Sequence, residues 1–197
     1  MRLWNGWGNE DSDLTMELSD GLRALLEALV GSGTALSQAT LNEVIAKVPN
    51  TRLDDHPLIK TDPETRVRHA RGQSLPDWLE MHSGNVDTFP DGVAFPESSE
   101  QVRELLAHAK ENNLIVIPYG GGTSVVGHIN PETSDKPVLT IDMAKMNSML
   151  SIDTESQLAT FGAGAPGPVV EEELKKYGYT LGLSLIHISE PTRRTPI

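Results

Sequence analysis

Apolar residues recur at helical spacing in two segments of the amino-terminal half. In residues 19–30 this spacing predicts an amphipathic helix. A capping-box sequence begins at Thr40 and predicts a second, short helix that ends before Pro49. Residues 50–90 contain several prolines and no long periodic run, so we expect an irregular segment with one short helix near residues 76–81.

Short apolar runs replace this pattern in the carboxyl-terminal half. Residues 93–95 predict a strand, and a second capping-box sequence from Ser98 predicts a helix with Leu105 and Leu106 on its apolar face. Residues 114–117 form a continuous apolar run that predicts a strand buried on both faces. The order strand, helix, strand is typical of a βαβ-like α/β unit. Later elements are predicted as strands at residues 138–141 and 157–161 and a helix at residues 168–177.

The glycine-rich sequence after residues 114–117 is the main candidate site. Residues 120–122 are three consecutive glycines, followed by Thr123 and Ser124; we call residues 120–124 the glycine loop. Glycine lets a backbone approach another group closely, and successive exposed amides form a concave anion site to which the two hydroxyls add donors. The loop lacks the Gly-Lys-Ser/Thr sequence of a Walker A motif. A diphosphate is the ligand we expect, and a plain glycine turn is the alternative.

Two weaker candidates remain open at this point. Residues 162–167 fit the G-x-G-x-x-G pattern, but no acidic residue stands at the end of a second strand, so a turn near the cofactor is the better interpretation. Arg66, Arg68 and Arg71 suit contacts with a substrate phosphate, and exposed pairing with the many acidic residues is at least as plausible.

Composition narrows the class of protein. The chain has 197 residues, 28 of them acidic and 16 basic, with a formal net charge of −12. This acidity argues against nucleic acid and anionic membranes as partners. There is no cysteine and no histidine spacing typical of metal sites, so we expect no metal. Neither a membrane span nor a secretion signal is recognisable, so we predict a cytoplasmic protein.

The last fifteen residues differ from the sequence before them. Residues 183–193 resemble the translation of a sequencing-library adapter, and an ordinary strand with a polar tail is the alternative. We therefore expect residues 183–197 to be a non-native tail. The remaining 1–182 would be an amino-terminal fragment of a longer protein.

Five segments together carry a resemblance to one family: residues 3–8, 66–72, 91–96, 117–124 and 139–147. The resemblance is to the vanillyl-alcohol oxidase/p-cresol methylhydroxylase (PCMH) type of FAD-binding domain, closest to the alkyldihydroxyacetonephosphate synthase group and bacterial FAD-linked oxidases. It implies an α+β fold, in which residues 91–182 form the first α/β subdomain of an incomplete PCMH-type domain after a mostly helical region at residues 1–90.

The same resemblance implies a set of cofactor-binding residues. The glycine loop would wrap the FAD diphosphate, and the other residues would lead into the loop or flank the cofactor. Family members with covalently attached flavin often carry a histidine inside this loop, where Thr123 stands here, so the resemblance implies non-covalent FAD. The implied residues are Pro118, Tyr119, Gly120, Gly121, Gly122, Thr123, Ser124, Gly127, His128, Asp142, Met146, Gly162 and Gly164.

For the full parent, the resemblance implies an FAD-dependent enzyme that holds a small-molecule substrate in a carboxyl-terminal cap domain missing here. Two reactions compete: alkyl-for-acyl exchange on a dihydroxyacetone phosphate ester, and oxidation of a 2-hydroxy acid. The catalytic residues would lie downstream and are unknown. A homodimer of the full parent is a further expectation, and we expect the fragment alone to bind FAD weakly or not at all. A non-catalytic nucleotide- or phosphate-binding module is the alternative from a different class.

Overall fold

The computed structural model describes residues 3–6, 8, 10 and 18–182. The predicted tail at residues 183–197 and Trp7 of the amino-terminal motif lie outside the described residues. In chain order the elements are α1 (Asp20–Val30), α2 (Leu41–Ile45), β1 (Ile59–Lys60), α3 (Pro63–Arg68), α4 (Leu75–Ser83), β2 (Gly92–Ala94), α5 (Ser99–Glu111), β3 (Ile115–Tyr119), β4 (Val138–Asp142), a 3-10 turn (Met143–Lys145), β5 (Met149–Asp153), β6 (Leu158–Phe161) and α6 (Gly167–Lys175).

The main sheet has four strands in the order β1-β2-β4-β3. Strands β2 and β3 run parallel to β4, and β1 pairs antiparallel with β2. All five residues of β4 are buried, whereas β3 lies at the edge of the described sheet with Pro118 exposed. The predicted strand at residues 114–117 therefore exists, and its side chains pack on both faces: Val116 contacts one apolar cluster and Ile117 belongs to another. The burial is less complete than expected, because residues 114–116 are only partly buried. The strand with every residue buried is β4, which also has a paired strand on each side.

Helix α5 connects β2 to β3 and packs against the sheet with Leu105, which is fully buried beside Leu139 and Ile141. Leu106 was predicted on the same face but is 48% exposed, so the buried stripe of α5 is narrower than expected. The capping box predicted from Ser98 is half formed. Ser98 accepts a hydrogen bond from the Gln101 amide at 3.3 Å, while the Gln101 side chain accepts from the amide of Glu97 at 2.7 Å.

Residues 50–90 contain more regular structure than the sequence predicted. Helix α4 confirms the expected short helix, but β1 and α3 were missed. Helix α3 has a clear start signal, since Asp62 caps it by accepting from the Thr65 amide and Pro63 occupies its first turn. Helices α2, α3 and α4 enclose a second apolar cluster built around Val44, Val67 and Met81.

The last described segment is an antiparallel pair, β5 and β6, followed by α6. The prediction included β6 and α6 but missed β5. Near the amino terminus, α1 confirms the predicted amphipathic helix, although none of its side chains is buried by the described residues. Among the described residues, no helix is both long and apolar enough to cross a membrane.

Candidate functional site

The glycine loop begins where β3 ends, at Tyr119. Strands β2, β3 and β4 are parallel, so their carboxyl ends lie at the same end of the sheet. Tyr119 stands opposite Asp142 across the β3–β4 pair. Ligands of open α/β sheets bind beyond the carboxyl ends of the strands. The sequence prediction that the loop lies at the carboxyl end of a strand is confirmed.

The three glycines of the loop are not equivalent. Gly122 has a φ of +67°, and a Cβ at this position would overlap the Tyr119 hydroxyl, so the fold itself requires glycine there. At Gly121 the nearest atom to an added Cβ is the Thr123 Cγ2 at 3.6 Å, which is ordinary contact. At Gly120 an added Cβ would meet no atom of the described residues within 4 Å. Gly120 and Gly121 therefore leave an exposed stretch of backbone open to an incoming group.

Several other predicted residues lie on or under the loop. Tyr119 is buried beneath Gly122, and its ring lies 4.6 Å from the ring of His69. At the far end, the Ser124 hydroxyl and the His128 Nδ1 are 3.2 Å apart, and Gly127 between them has a φ of +75°. The structure thus brings Tyr119, Ser124 and His128 to one loop, with the His128 side chain exposed.

The remaining predicted residues meet at the end of β4. The Asp142 Oδ1 accepts the Ala144 amide at 2.8 Å and so caps the 3-10 turn that leads to Met146. A Cβ at Gly162 would overlap the Met146 carbonyl, and one at Gly164 would overlap the carbonyl of the residue that follows Asp142. These two glycines let two backbone segments pack against each other. The fold therefore requires them whether or not a cofactor lies nearby.

His69 is a residue of this region that the sequence did not assign to the site. It is buried at the end of α3, with Nδ1 2.7 Å from the Thr65 carbonyl and Nε2 3.0 Å from the Asp142 Oδ2. A carbonyl can only accept, so the short Nδ1 contact is one in which the ring donates to Thr65. The segment 66–72 carried part of the family resemblance, but local spacing gave no sign of this contact. His69 holds Asp142 in place below the sheet edge.

The three arginines have structural partners. Arg66 is buried and donates to the carbonyls of Pro90 (2.6 Å) and Pro49 (2.7 Å), and burial lowers the pKa of its guanidinium. Arg71 is also buried and pairs with carboxylates at 2.6 and 2.9 Å, while Arg68 pairs with Glu64 at 2.9 Å. Pairing with acidic residues therefore describes Arg68 and Arg71, although Arg71 is not at the surface as that alternative assumed.

No group of three or more histidine and carboxylate side chains suited to a metal ion occurs within the described part of the chain. The site consists instead of exposed loop amides, two hydroxyls and the capped end of β4. This set of groups fits a ligand bound through its phosphates, because backbone amides and hydroxyls donate hydrogen bonds to phosphate oxygens.

The family model described as "FAD binding domain" matches residues 90–190, which is more than half of the chain. The match begins just before β2 and includes the glycine loop and the end of β4. The chain belongs to this family of FAD-binding domains, and FAD is the cofactor of the family. The sequence predictions of a PCMH-type FAD-binding domain, of its mixed α and β fold and of FAD as cofactor are confirmed.

Three similar proteins indicate which enzymes carry related domains. Alkyldihydroxyacetonephosphate synthase from Trypanosoma brucei brucei is 36% identical over 126 residues, covering 63% of this chain and 21% of that protein. The synthase from Caenorhabditis elegans is 30% identical over 207 residues, covering 91% of this chain and 34% of that protein. Mitochondrial D-lactate dehydrogenase [cytochrome] 1 from Saccharomyces cerevisiae is 30% identical over 106 residues, covering 53% of this chain and 18% of that protein.

A solved structure of alkyldihydroxyacetonephosphate synthase superimposes with a TM-score of 0.74 at 27% identity, covering 92% of this chain and 40% of that one. The chain spans about a fifth to a third of the length of the curated relatives.

Proposed function

We propose that the glycine loop binds the diphosphate of FAD without a covalent link to the flavin. The observation that carries this proposal is that Gly120 and Gly121 lack side chains although the fold has room for a Cβ at both positions. A bound diphosphate explains the choice of glycine, because phosphate oxygens accept hydrogen bonds only from amides that they can approach closely. Thr123 and Ser124 add hydroxyl donors.

The other predicted residues would surround this contact. Pro118 and Tyr119 would lead into the loop, and Gly127 and His128 would lie beyond it, toward the flavin. Asp142, Met146, Gly162 and Gly164 would flank the cofactor from the end of β4. Non-covalent binding is supported by Thr123, which stands in the loop where covalent family members often carry a histidine, and by the position of His128 beyond the loop.

For the whole protein we propose a flavin-dependent enzyme, in which the flavin supplies the redox chemistry and the protein supplies binding and orientation. A reaction like that of alkyldihydroxyacetonephosphate synthase comes first, because identity to the synthases is higher or extends over more of the chain than identity to D-lactate dehydrogenase. Oxidation of a 2-hydroxy acid is the second candidate. Flavin reduction by a candidate hydroxy acid in the full parent would favour the second reaction, and no turnover with either substrate class would favour a non-catalytic module.

The predicted cap domain, homodimer and cytoplasmic location concern the full parent and stay predictions. The location calls for a direct test, since several relatives, all D-lactate dehydrogenases, are named as mitochondrial proteins. A fluorescent fusion of the full parent should distribute through the cytoplasm, and accumulation in an organelle would contradict the prediction.

The loop assignment is tested by titrating the ¹⁵N-labelled chain with FAD up to millimolar concentration. Amide spectra detect weak binding, which matters because the sequence predicts weak or no binding by this length of chain. We expect saturable shifts at residues 120–124. G120A should weaken binding by about tenfold, a free-energy loss of about 1.4 kcal/mol, because its methyl group stands where the ligand approaches.

The matched control is G33A, since Gly33 also has open space around an added Cβ among the described residues. Both variants should unfold at the wild-type temperature. Binding by G120A equal to that of G33A, or wild-type shifts that cluster at residues 162–164 instead of the loop, would refute the assignment.

A further inference from the structure

The turn between α3 and α4 lies against the far end of the glycine loop. The Gln73 amide donates to the Ser124 carbonyl at 2.6 Å. The Gly72 amide donates to the Asn130 side-chain oxygen at 3.0 Å, and the Asn130 side-chain nitrogen donates to the Asp77 Oδ1 at 2.6 Å. A Cβ at Gly72 would overlap the Ser124 carbonyl, so glycine is required for this close approach. Partners more than fifty residues apart in the chain thus meet behind the loop.

Asp77 and Asn130 form the centre of this contact, and every polar atom of the two side chains has a matching partner. Asp77 is 2% exposed, and its Oδ2 accepts from both the amide (3.0 Å) and the hydroxyl (2.6 Å) of Ser74. Because a backbone amide only donates and a carboxylate only accepts, the orientation of the Asn130 side chain is fixed by its partners. The pair therefore ties the start of α4 to the segment that follows the loop.

We propose that Asp77 and Asn130 are positioning residues for flavin binding, which hold the glycine loop in the conformation that receives the diphosphate. This inference rests on the proposed function of the loop. The loop contains neither helix nor strand, and it is anchored by β3 at one end. The contacts of residues 72–77 with Ser124 and Asn130 anchor the other end.

An anchored loop binds more tightly than a free one, because the ordering of its backbone does not have to accompany binding. The assignment extends the site beyond residues 90–190, where the family match lies. Residues 72–77 belong to the region that the sequence separated from the FAD-binding domain, yet they support the part of that domain that contacts the cofactor.

Reciprocal substitution tests the pair. N130D places two carboxylates at the 2.6 Å contact, and D77N places two amides there, so that every orientation leaves one pair of donors facing each other. In D77N/N130D every hydrogen bond can form again. The amide at position 77 accepts from Ser74 and donates to position 130, and the carboxylate at position 130 still accepts the Gly72 amide. N42D, at an exposed helix position, controls for the added negative charge.

Two readouts separate positioning from general stability. The first, called loop exchange below, is amide hydrogen exchange without FAD at Gly72 and Gln73, whose amides donate to the Asn130 side chain and to the Ser124 carbonyl of the loop. The second is FAD affinity from the same amide titration. In folded N130D and D77N we expect loop exchange at least about tenfold faster and FAD binding about tenfold weaker. Exchange in the β4 core should stay at the wild-type rate. D77N/N130D should return both values to within about threefold of wild type, and N42D should change neither.

The inference is overturned if either folded single variant shows wild-type loop exchange, or if D77N/N130D folds without restoring it. If both single variants fail to fold, D77N/N130D alone tests the inference. Loop exchange and FAD affinity close to the wild-type values support it, and a folded double variant with fast loop exchange overturns it. Because loop exchange is measured without FAD, it tests the positioning role separately. Failure of the loop as the binding site would appear instead as wild-type FAD binding by G120A.

Discussion

Asp91 joins the amino-terminal region to the sheet, and its removal gives the sharpest test of how the two are held together. Its carboxylate accepts four hydrogen bonds: from the Arg52 amide (3.2 Å), Nε (2.8 Å) and Nη2 (2.7 Å), and from the Val138 amide (2.8 Å). The Asp91 side chain is 4% exposed and that of Arg52 is 44% exposed. Burial alone would raise the pKa of Asp91, but the bonds from Arg52 and Val138 hold this pKa below its ordinary value.

The expected cost of D91N follows from these contacts. An amide keeps one accepting oxygen, so its NH2 group faces either the amide and Nε of Arg52 or the Arg52 Nη2 and the Val138 amide, and two of the four bonds are lost. Hydrogen bonds to charged groups contribute about 1.5–3 kcal/mol each, and breaking a fully buried pair costs about 3–5 kcal/mol. Because Arg52 is partly exposed, water compensates for part of this loss. We therefore expect the free energy of unfolding to fall by about 2–3 kcal/mol.

The same contacts give the effect a pH dependence. The pKa of Asp91 is lower in the folded than in the unfolded chain, so its stabilisation is present above about pH 4, the ordinary pKa of aspartate. It is lost as the pH falls through the folded-state pKa. The difference in unfolding free energy between wild type and D91N should therefore be largest near pH 7 and shrink below pH 4.

Urea denaturation at pH 7 and at several values down to pH 3 measures this difference. D54N removes a carboxylate from an exposed position and serves as the control for net charge. The reasoning fails if D91N lies within about 0.5 kcal/mol of D54N at pH 7, which is the range of ordinary surface substitutions. It also fails if the difference between D91N and wild type is the same at pH 7 and pH 3.

Two further pairs of variants test the packing, each measured by urea denaturation. L105A removes a fully buried side chain and should cost about 2–4 kcal/mol, whereas L106A, at a half-exposed position, should cost less than about 1 kcal/mol; equal losses would contradict the assigned face of α5. G164A should cost about 1–3 kcal/mol, because its Cβ would overlap the Met143 carbonyl. G167A, with open space among the described residues, should leave stability nearly unchanged, and a loss equal to that of G164A would contradict the packing of the two segments.

The elements that the sequence predicted correctly are those with signals inside the element. Helix α2 begins with a complete capping box at Thr40, and α5 shows apolar residues at helical spacing. Strand β1 has only two residues, and its pairing with β2 defines it, so no local pattern could have identified it. Helix α3 was missed although its start signal at Asp62 is present in the sequence. The prolines of residues 50–90 were interpreted as breaks in regular structure, whereas Pro63 lies in the first turn of this helix.

The candidate site also combines features that local sequence predicts with contacts that only the tertiary structure shows. The position of the glycine loop follows from local sequence, because three glycines directly follow an apolar strand. Which of those glycines the fold itself requires could not be predicted, because the answer depends on Tyr119 lying beneath Gly122. The contacts of His69 with Asp142 and of Asp77 with Asn130 join residues 73 and 53 positions apart. Periodicity and motif spacing carry no information about such pairs.

The contacts across residue 90 show how the amino-terminal region takes part in the cofactor domain. Arg66, whose guanidinium is almost completely buried, donates to the carbonyl of Pro90, immediately before the Asp91 carboxylate that Arg52 binds. Strand β1 extends the sheet from β2, and His69 reaches the end of β4. The contacts of Arg52 with Asp91 and of His69 with Asp142 each satisfy a buried carboxylate of residues 91–182 with a group from the amino-terminal region, and a buried group without its partner costs about 1–3 kcal/mol. Residues 52–69 therefore take part in the sheet from which the glycine loop extends: β1 pairs with it, and Arg52 and His69 hold two of its flanking carboxylates.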